Sequence, residues 1–251
     1  MRRKVAVITG ATRGIGRGIA ERFASEGIQV VVAGQDEAAG NTTIDGITKL
    51  GGDGLFVPTD VTTPESVAHL IEQTVEHFGG ADILVANAGR LGLGSITDVS
   101  METWSETIDV NLHGVFYLLR YGIPEMQMRQ GGSIVVIGSI ASQKGFPNHA
   151  AYCASKGALP ALVRQAAVDY APDIRVNLIQ PGPIDTNLYR DSRFAFPDPG
   201  TVLEEVPDEL PMKRIGSPGD VAHLALFLVS DDAAWITGSV FTVDGGAMAA
   251  G

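Results

Sequence analysis

Apolar positions in this chain gather into short runs separated by longer stretches of mixed polarity. The runs are Val5–Ile8, Val30–Ala33, Leu55–Val57, Ile83–Ala86, Ile134–Ile137, Val176–Ile179 and Val240–Val243. None contains a charge. A strand with one wet face alternates apolar and polar residues, so unbroken apolar runs read as strands covered on both faces. The stretches between them carry helical spacing. Around Gly16–Glu26, Ile15, Ile19 and Phe23 recur every four residues. Over Pro64–Phe78, Val67, Leu70, Ile71 and Val75 repeat at three and four, and Pro64, after Thr62-Thr63, suits a first helical turn. Strands alternating with helices in this way predict a parallel sheet wrapped by helices on both faces. The expectation is one α/β domain over residues 1–251, a Rossmann-type, doubly wound sheet of seven parallel strands, with no interior linker.

The rhythm lapses between Asn187 and Pro218. Pro197, Pro199, Pro207, Pro211 and Pro218 interrupt that segment, with Phe194, Phe196 and Leu203 set among charges. A long aperiodic stretch inside a compact domain reads as a lid or binding loop, the alternative being a disordered insert.

Composition narrows the function classes. Of the 251 residues, 45% are hydrophobic and 19% charged, enough to bury a core without a disulfide or metal staple. The net charge of -11, from 29 acidic and 18 basic residues, argues against a nucleic-acid partner. Arg2, Arg3 and Lys4 form the one basic cluster and read as a solvated chain end. The lone cysteine, Cys153, cannot form an internal disulfide and suits a reducing compartment. Val5–Ile8 is too short for a signal-peptide core. No apolar run approaches about 18 residues, so no membrane span is expected. The five histidines, His69, His77, His113, His149 and His223, lack ligand spacing, so no metal site is expected. A soluble, cytoplasmic protein is the resulting expectation.

Chemistry enters at the end of the first strand. Thr9-Gly10-Ala11-Thr12-Arg13-Gly14-Ile15-Gly16 joins strand Val5–Ile8 to a helix. Gly10 permits a tight turn; Gly14 and Gly16 let backbone approach a pyrophosphate and helix pack on strand. The helix N-terminus then faces the anion. The adenosine end stays open between two cofactors. Asp36 lies twenty residues past Gly16, where an acid would bind ribose hydroxyls and select NAD. Gly34, at the strand end itself, carries no acid. Arg13 could reach a 2′-phosphate and tips the reading toward NADP, or it is a solvated loop charge. Asp60, after the third strand, either accepts from adenine or caps the turn Thr62-Thr63-Pro64. Asn87-Ala88-Gly89, after the fourth strand, stands where open α/β sheets bind ligands, though Asn87 could instead brace the sheet.

Ser139 follows strand Ile134–Ile137, and Tyr152-Cys153-Ala154-Ser155-Lys156 follows it. Four residues apart on a helix, Tyr152 and Lys156 share a face. Reducing a carbonyl requires a proton for the new alkoxide. A free tyrosine, with pKa about 10, exchanges poorly near neutrality, and a neighbouring ammonium favours the phenolate and lowers that value. A serine hydroxyl can orient the substrate oxygen, which completes a general acid/base arrangement. Cys153 points about 100° away from Tyr152 and reads as packing. Gln143, Phe146 and His149, between Ser139 and Tyr152, are candidate substrate contacts.

Together these motifs resemble the short-chain dehydrogenase/reductase family of roughly 250-residue proteins, over essentially the whole chain to Val243-Asp244-Gly245-Gly246. Within the family the look is similar to 3-oxoacyl-carrier-protein reductases and related alcohol dehydrogenases. The resemblance implies a catalytic tetrad of Asn111, Ser139, Tyr152 and Lys156, with Asn111 binding a water that relays protons from Lys156. It implies cofactor contacts from Gly10, Thr12, Arg13, Gly14, Ile15, Gly16, Gln35, Asp60, Val61, Asn87, Ala88 and Gly89. Tyr152, Lys156, Pro181, Gly182, Ile184 and Thr186 would hold the nicotinamide end. The activity implied is NAD(P)(H)-dependent interconversion of a secondary alcohol and a ketone, with Ser139, Gln143, Phe146 and Tyr152 meeting a small-molecule substrate. A homo-oligomer, usually a tetramer, is implied, with residues Ala247 to Gly251 at an interface. Two departures stand out. NADP-preferring members often carry arginine where Gln35 stands, and NAD-preferring ones an acid where Gly34 stands. Pro160, four residues past Lys156, removes the hydrogen bond to the Lys156 carbonyl and predicts a local bend, or a water at that carbonyl. The rival readings are a non-catalytic nucleotide-binding regulator and an epimerase or dehydratase on the same scaffold.

Overall fold

The computed structural model describes residues 2–250. Seven strands form the sheet: β1 (Val5–Thr9), β2 (Gln29–Gly34), β3 (Gly54–Pro58), β4 (Ile83–Ala86), β5 (Gly132–Ile137), β6 (Ile174–Pro181) and β7 (Val240–Val243). The helices are α1 (Gly14–Ser25), α2 (Glu37–Lys49), α3 (Pro64–Phe78), α4 (Met101–Ile108), α5 (Gly114–Met128), α6 (Ala150–Tyr170), α7 (Asn187–Asp191), α8 (Val206–Glu209) and α9 (Pro218–Val229). The strand order is β3-β2-β1-β4-β5-β6-β7, and every pairing is parallel. This is the doubly wound, Rossmann-type sheet expected from the uninterrupted apolar runs.

Those runs are uninterrupted because both faces are covered. Along β1, Val5 and Val7 join the core built with Val67 and Leu70 of α3, Leu118 of α5 and Leu159 of α6. Ala6 and Ile8 join the opposite core with Ile19 and Phe23 of α1 and Val221 and Leu228 of α9. A polar residue at any of these positions would lose water without gaining a partner. Helix α3 keeps its predicted bounds and stops at Gly79, which adopts the left-handed conformation (φ 77°). Helix α6 carries on past Pro160 to Tyr170, so the proline does not end the helix that bears Tyr152 and Lys156.

Two features lay outside the sequence pattern. Arg2 is not simply a solvated end: it donates to Asp82 Oδ1 at 2.6 Å. Asp82 also accepts from Val5 N and Arg129, which ties the N-terminal end of the sheet together. Between α4 and α5 the chain widens into one π-helical turn, Asp109–His113, and this turn places Asn111 fully inside the protein.

The topology sets where a ligand can sit. From β1 the chain runs outward to β2 and β3; from β4 it runs the other way to β5, β6 and β7. Helices following β1 and β4 therefore diverge, and a crevice opens above the carboxyl ends of these two strands.

Candidate active site

A cleft of about 2050 Å³ occupies that crevice. Its floor at one end is the glycine loop. Gly10 (φ 63°) and Gly14 (φ 56°) both adopt left-handed backbone. A Cβ on Gly10 would lie 2.8 Å from Ala88 Cα, so the β1 and β4 termini approach more closely than a side chain permits. Behind the loop, a Cβ on Gly16 would lie 2.4 Å from both Asn87 Nδ2 and Gly10 O. Asn87 Nδ2 itself donates to the Thr9 and Gly10 carbonyls, each at 3.0 Å. Asn87 thus braces the loop, and with Ala88 and Gly89 it also lines the cleft.

Helix α1 begins at this loop. Its N-cap, Arg13, supplies no side-chain bond to the first turn, and the turn contains no acid. First-turn amides that no side chain caps, aimed at a cleft, form an anion site by hydrogen bonding and by the helix dipole. The residues present therefore fit a phosphorylated nucleotide.

At the end of the cleft beside β2 and β3 lie Thr12, Arg13, Gly34, Gln35, Asp36, Asp60 and Val61. Thr12 Cγ2 would sit only 2.7 Å from a Cβ on Gly34, so Thr12 fills the space an acid there would need. Asp36 caps α2 by accepting from Ala39 N at 3.0 Å and pairs with Arg13 at 3.0 Å. Asp60 accepts from Thr62 N and Thr62 Oγ1 at 2.9 and 2.7 Å, so its turn-capping role is realised.

The catalytic candidates converge on the opposite end. Ser139, Tyr152 and Lys156 all line the cleft, although Tyr152 and Lys156 are otherwise buried. The Lys156 ammonium lies over the Tyr152 ring, 5.9 Å from its centroid, as the one-turn spacing requires. Lys156 Nζ donates to the Ile137 carbonyl at the end of β5, 2.9 Å away. Burial lowers the lysine pKa to about 8. Burial also raises the Tyr152 pKa, partly opposed by a hydrogen bond with the Ser139 side chain, while Cys153 adds to the rise. The direction is opposite to the depressed tyrosine expected from the neighbouring ammonium, with loss of water on burial the largest cause.

Asn111 lies behind this group. It accepts from Arg90 N and donates to the Arg90 carbonyl and to Ser155 Oγ, all at 2.9 Å. A Cβ on Gly89 would meet Asn111 Oδ1 at 3.5 Å and Lys156 Nζ at 3.7 Å, so the two side chains flank the same glycine. Pro181, Gly182, Ile184 and Thr186 lie along the cleft beyond β6, with Thr186 also capping α7.

Of the three candidate substrate contacts, Phe146 and His149 line the cleft. Gln143 does not reach it; its amide donates to Gln180 Oε1 at 2.9 Å. Three contributions had no sequence signal. Leu91 and Leu93 form part of the wall, and Arg90 pairs with Glu106. Tyr189, from α7, lines the cleft with its hydroxyl buried and unbonded. Burial and nearby Asp185 push that phenol up from its ordinary value. Ala247 and Ala250, expected at an interface, border the cleft; residue 251 of that expectation lies outside the described residues. Among the described residues no helix is long and apolar enough to cross a membrane, and no cluster of His, Cys, Asp and Glu could hold a metal.

Comparison with known proteins agrees with this geometry. A family model described as Enoyl-(Acyl carrier protein) reductase matches residues 10–248. Versicolorin reductase of Emericella nidulans is 41% identical, over 97% of this chain and 95% of that protein. Among solved structures, a 7α-hydroxysteroid dehydrogenase complexed with NADH and 7-oxo glycochenodeoxycholic acid superposes with a TM-score of 0.91 at 36% identity, covering 97% of this chain and 93% of that one. An actinorhodin polyketide ketoreductase with NADPH superposes at 0.94 and 30% identity, covering 98% and 97%. The parallel seven-stranded sheet, the glycine loop at its switch point and these matches along nearly the whole chain agree: the protein belongs to the short-chain dehydrogenase/reductase family of oxidoreductases.

Proposed function

We propose that this protein is an NAD(P)(H)-dependent oxidoreductase that interconverts a secondary alcohol and a ketone, with Tyr152 as general acid/base. The observation that carries the reading is the convergence of Ser139, Tyr152 and Lys156 on one cleft whose other end is an anion-binding helix terminus. Relatives described with NADH or NADPH support the nicotinamide cofactor. Such a cofactor, when bound, supplies or accepts hydride at the carbon of the substrate carbonyl.

The chain's own residues do the rest. The Gly14 and Ile15 end of α1 binds the pyrophosphate, with Gly10 and Ala88 keeping the loop close. Gln35, Asp60 and Val61 border the adenosine, and Pro181, Gly182, Ile184 and Thr186 the nicotinamide end. NADP(H) is the preferred form: Gly34 carries no acid, and Arg13 stands beside the adenosine end to receive a 2′-phosphate. Ser139 Oγ orients the substrate oxygen, and Tyr152 Oη gives it a proton in reduction or takes one in oxidation. Lys156, while charged, favours the phenolate beside it, and Asn111, across Gly89, binds a water that links Lys156 to solvent for proton relay. The 187–218 segment closes over the substrate as a lid. A homo-oligomer is part of this reading.

Tyr152→Phe tests the reading. Turnover of every ketone and alcohol substrate should fall by at least about a hundred-fold, while NADPH binding, followed by fluorescence, persists. A variant retaining near-wild-type turnover would remove Tyr152 from the chemistry.

A further inference from the structure

His149 has a role that proton transfer does not use. It is only 6% exposed, yet it lines the cleft immediately before the helix that bears Tyr152. It occupies the N-cap of α6, where a side chain ordinarily accepts from a first-turn amide, and its ring makes no such bond. Instead Nδ1 lies 2.6 Å from the Pro147 carbonyl. A carbonyl oxygen only accepts, so Nδ1 carries the proton, and the Nε2 of the neutral ring is an acceptor.

The ring is held in place. It packs edge-on against Tyr152, with centroids 6.1 Å apart, and against Phe146 at 6.0 Å. The backbone around it forms a parallel bridge to Gly94, with Gly94 N donating to Asn148 O at 2.7 Å and Ala150 N to Gly94 O at 3.3 Å. Asn148 in turn donates to the Ala195 carbonyl of the 187–218 segment at 2.7 Å. Among the described residues no hydrogen bond is made to Nε2. Phe146 packs on the ring, and the cleft it faces takes further apolar lining from Leu91, Leu93, Phe194 and Phe196. A fixed acceptor in an apolar wall selects the ligand that brings it a donor, because a ligand without one leaves the acceptor dry and unpaired.

We propose that His149 recognises a hydroxyl of the substrate, so that the preferred substrates are alcohols or ketones bearing a second hydroxyl near the reacting carbon. This rests on the Tyr152 chemistry proposed above. It makes His149 a specificity-determining residue rather than a proton donor.

The test compares cyclohexanone, 2-methoxycyclohexanone and 2-hydroxycyclohexanone as substrates of the full-length protein with NADPH. The methoxy compound keeps the oxygen and its inductive effect but removes the donor and adds one methyl group. Wild type should favour the hydroxy over the methoxy ketone by about ten-fold or more in kcat/KM. His149→Phe, which keeps a ring against Phe146 and Tyr152, should bring that hydroxy-to-methoxy ratio close to one. His149→Gln, with an amide oxygen to accept, should recover part of the preference. A wild-type ratio near one overturns the proposal, as does an equal loss on all three ketones in His149→Phe. Should the variants fail to fold, the wild-type ratio decides alone. Absence of turnover with any ketone or alcohol strikes the underlying oxidoreductase reading; turnover without hydroxyl preference strikes only this one.

Discussion

Replacing Lys156 with Met should stabilise the protein near neutral pH and lose that advantage as the solution becomes alkaline. Lys156 is buried, and its pKa falls from 10.5 to about 8. The difference of 2.5 units, at about 1.36 kcal/mol each, makes the buried ammonium cost roughly 3 kcal/mol of folding stability. The sign follows from which state holds the proton. Below pH 8 both folded and unfolded chains are protonated, and the folded state bears the whole cost. Between 8 and 10.5 the folded chain has released its proton and the unfolded chain has not, so stability rises with pH. Above 10.5 both are neutral and the cost is gone. Methionine has similar length and no charge, but it abandons the 2.9 Å bond to the Ile137 carbonyl, a loss of about 1 kcal/mol. Lys156→Met should therefore be about 2 kcal/mol more stable than wild type at pH 7 and about equal at pH 10. Urea unfolding at a series of pH values, at fixed protein concentration and without cofactor, measures the difference. A variant less stable at pH 7, or a difference that does not change with pH, would refute the assignment of a strained buried ammonium. The same variant should lose turnover, which makes this stability a sacrifice to function.

Three further outcomes follow from the site. Gly16→Ala must displace Asn87 Nδ2 and Gly10 O from 2.4 Å, so nucleotide binding by fluorescence titration should be lost, with destabilisation of about 1–3 kcal/mol; normal binding would contradict the packed loop. Asp36→Asn keeps an acceptor for Ala39 N but drops the charge paired with Arg13, so the ratio of NADPH to NADH efficiency should rise, and an unchanged ratio would take Arg13 out of cofactor choice. Because burial holds Tyr152 above its ordinary value of 10.0, its phenol stays protonated through neutrality. Alcohol oxidation, which needs the phenolate, should accelerate with pH through the alkaline range while ketone reduction stays nearly flat below it; a flat oxidation profile would contradict the raised value.

Most of the frame was legible because it depends on local patterns. A strand covered on both faces must be apolar throughout, so the seven runs from Val5–Ile8 to Val240–Val243 marked the sheet. A turn out of β1 into a helix requires glycine, so Gly10, Gly14 and Gly16 marked the phosphate loop. The i,i+4 spacing alone puts Tyr152 and Lys156 on one helix face.

What the tertiary structure decided are the relations between distant segments. Sequence could not say whether Tyr152 titrates high or low, because that depends on the balance between burial and the place of one ammonium. It left Asp36 and Asp60 each with two roles; the fold turned Asp36 onto the α2 cap and Arg13, and Asp60 onto Thr62. It offered Gln143 and His149 alike as substrate contacts, and packing sent Gln143 to Gln180 and His149 to the cleft wall. Arg2, read as a solvated end, stays exposed but gains a partner in Asp82, eighty residues on. Periodicity reports which face of an element is buried, whereas hydrogen-bond partners and desolvation are set by what the other elements bring to that face.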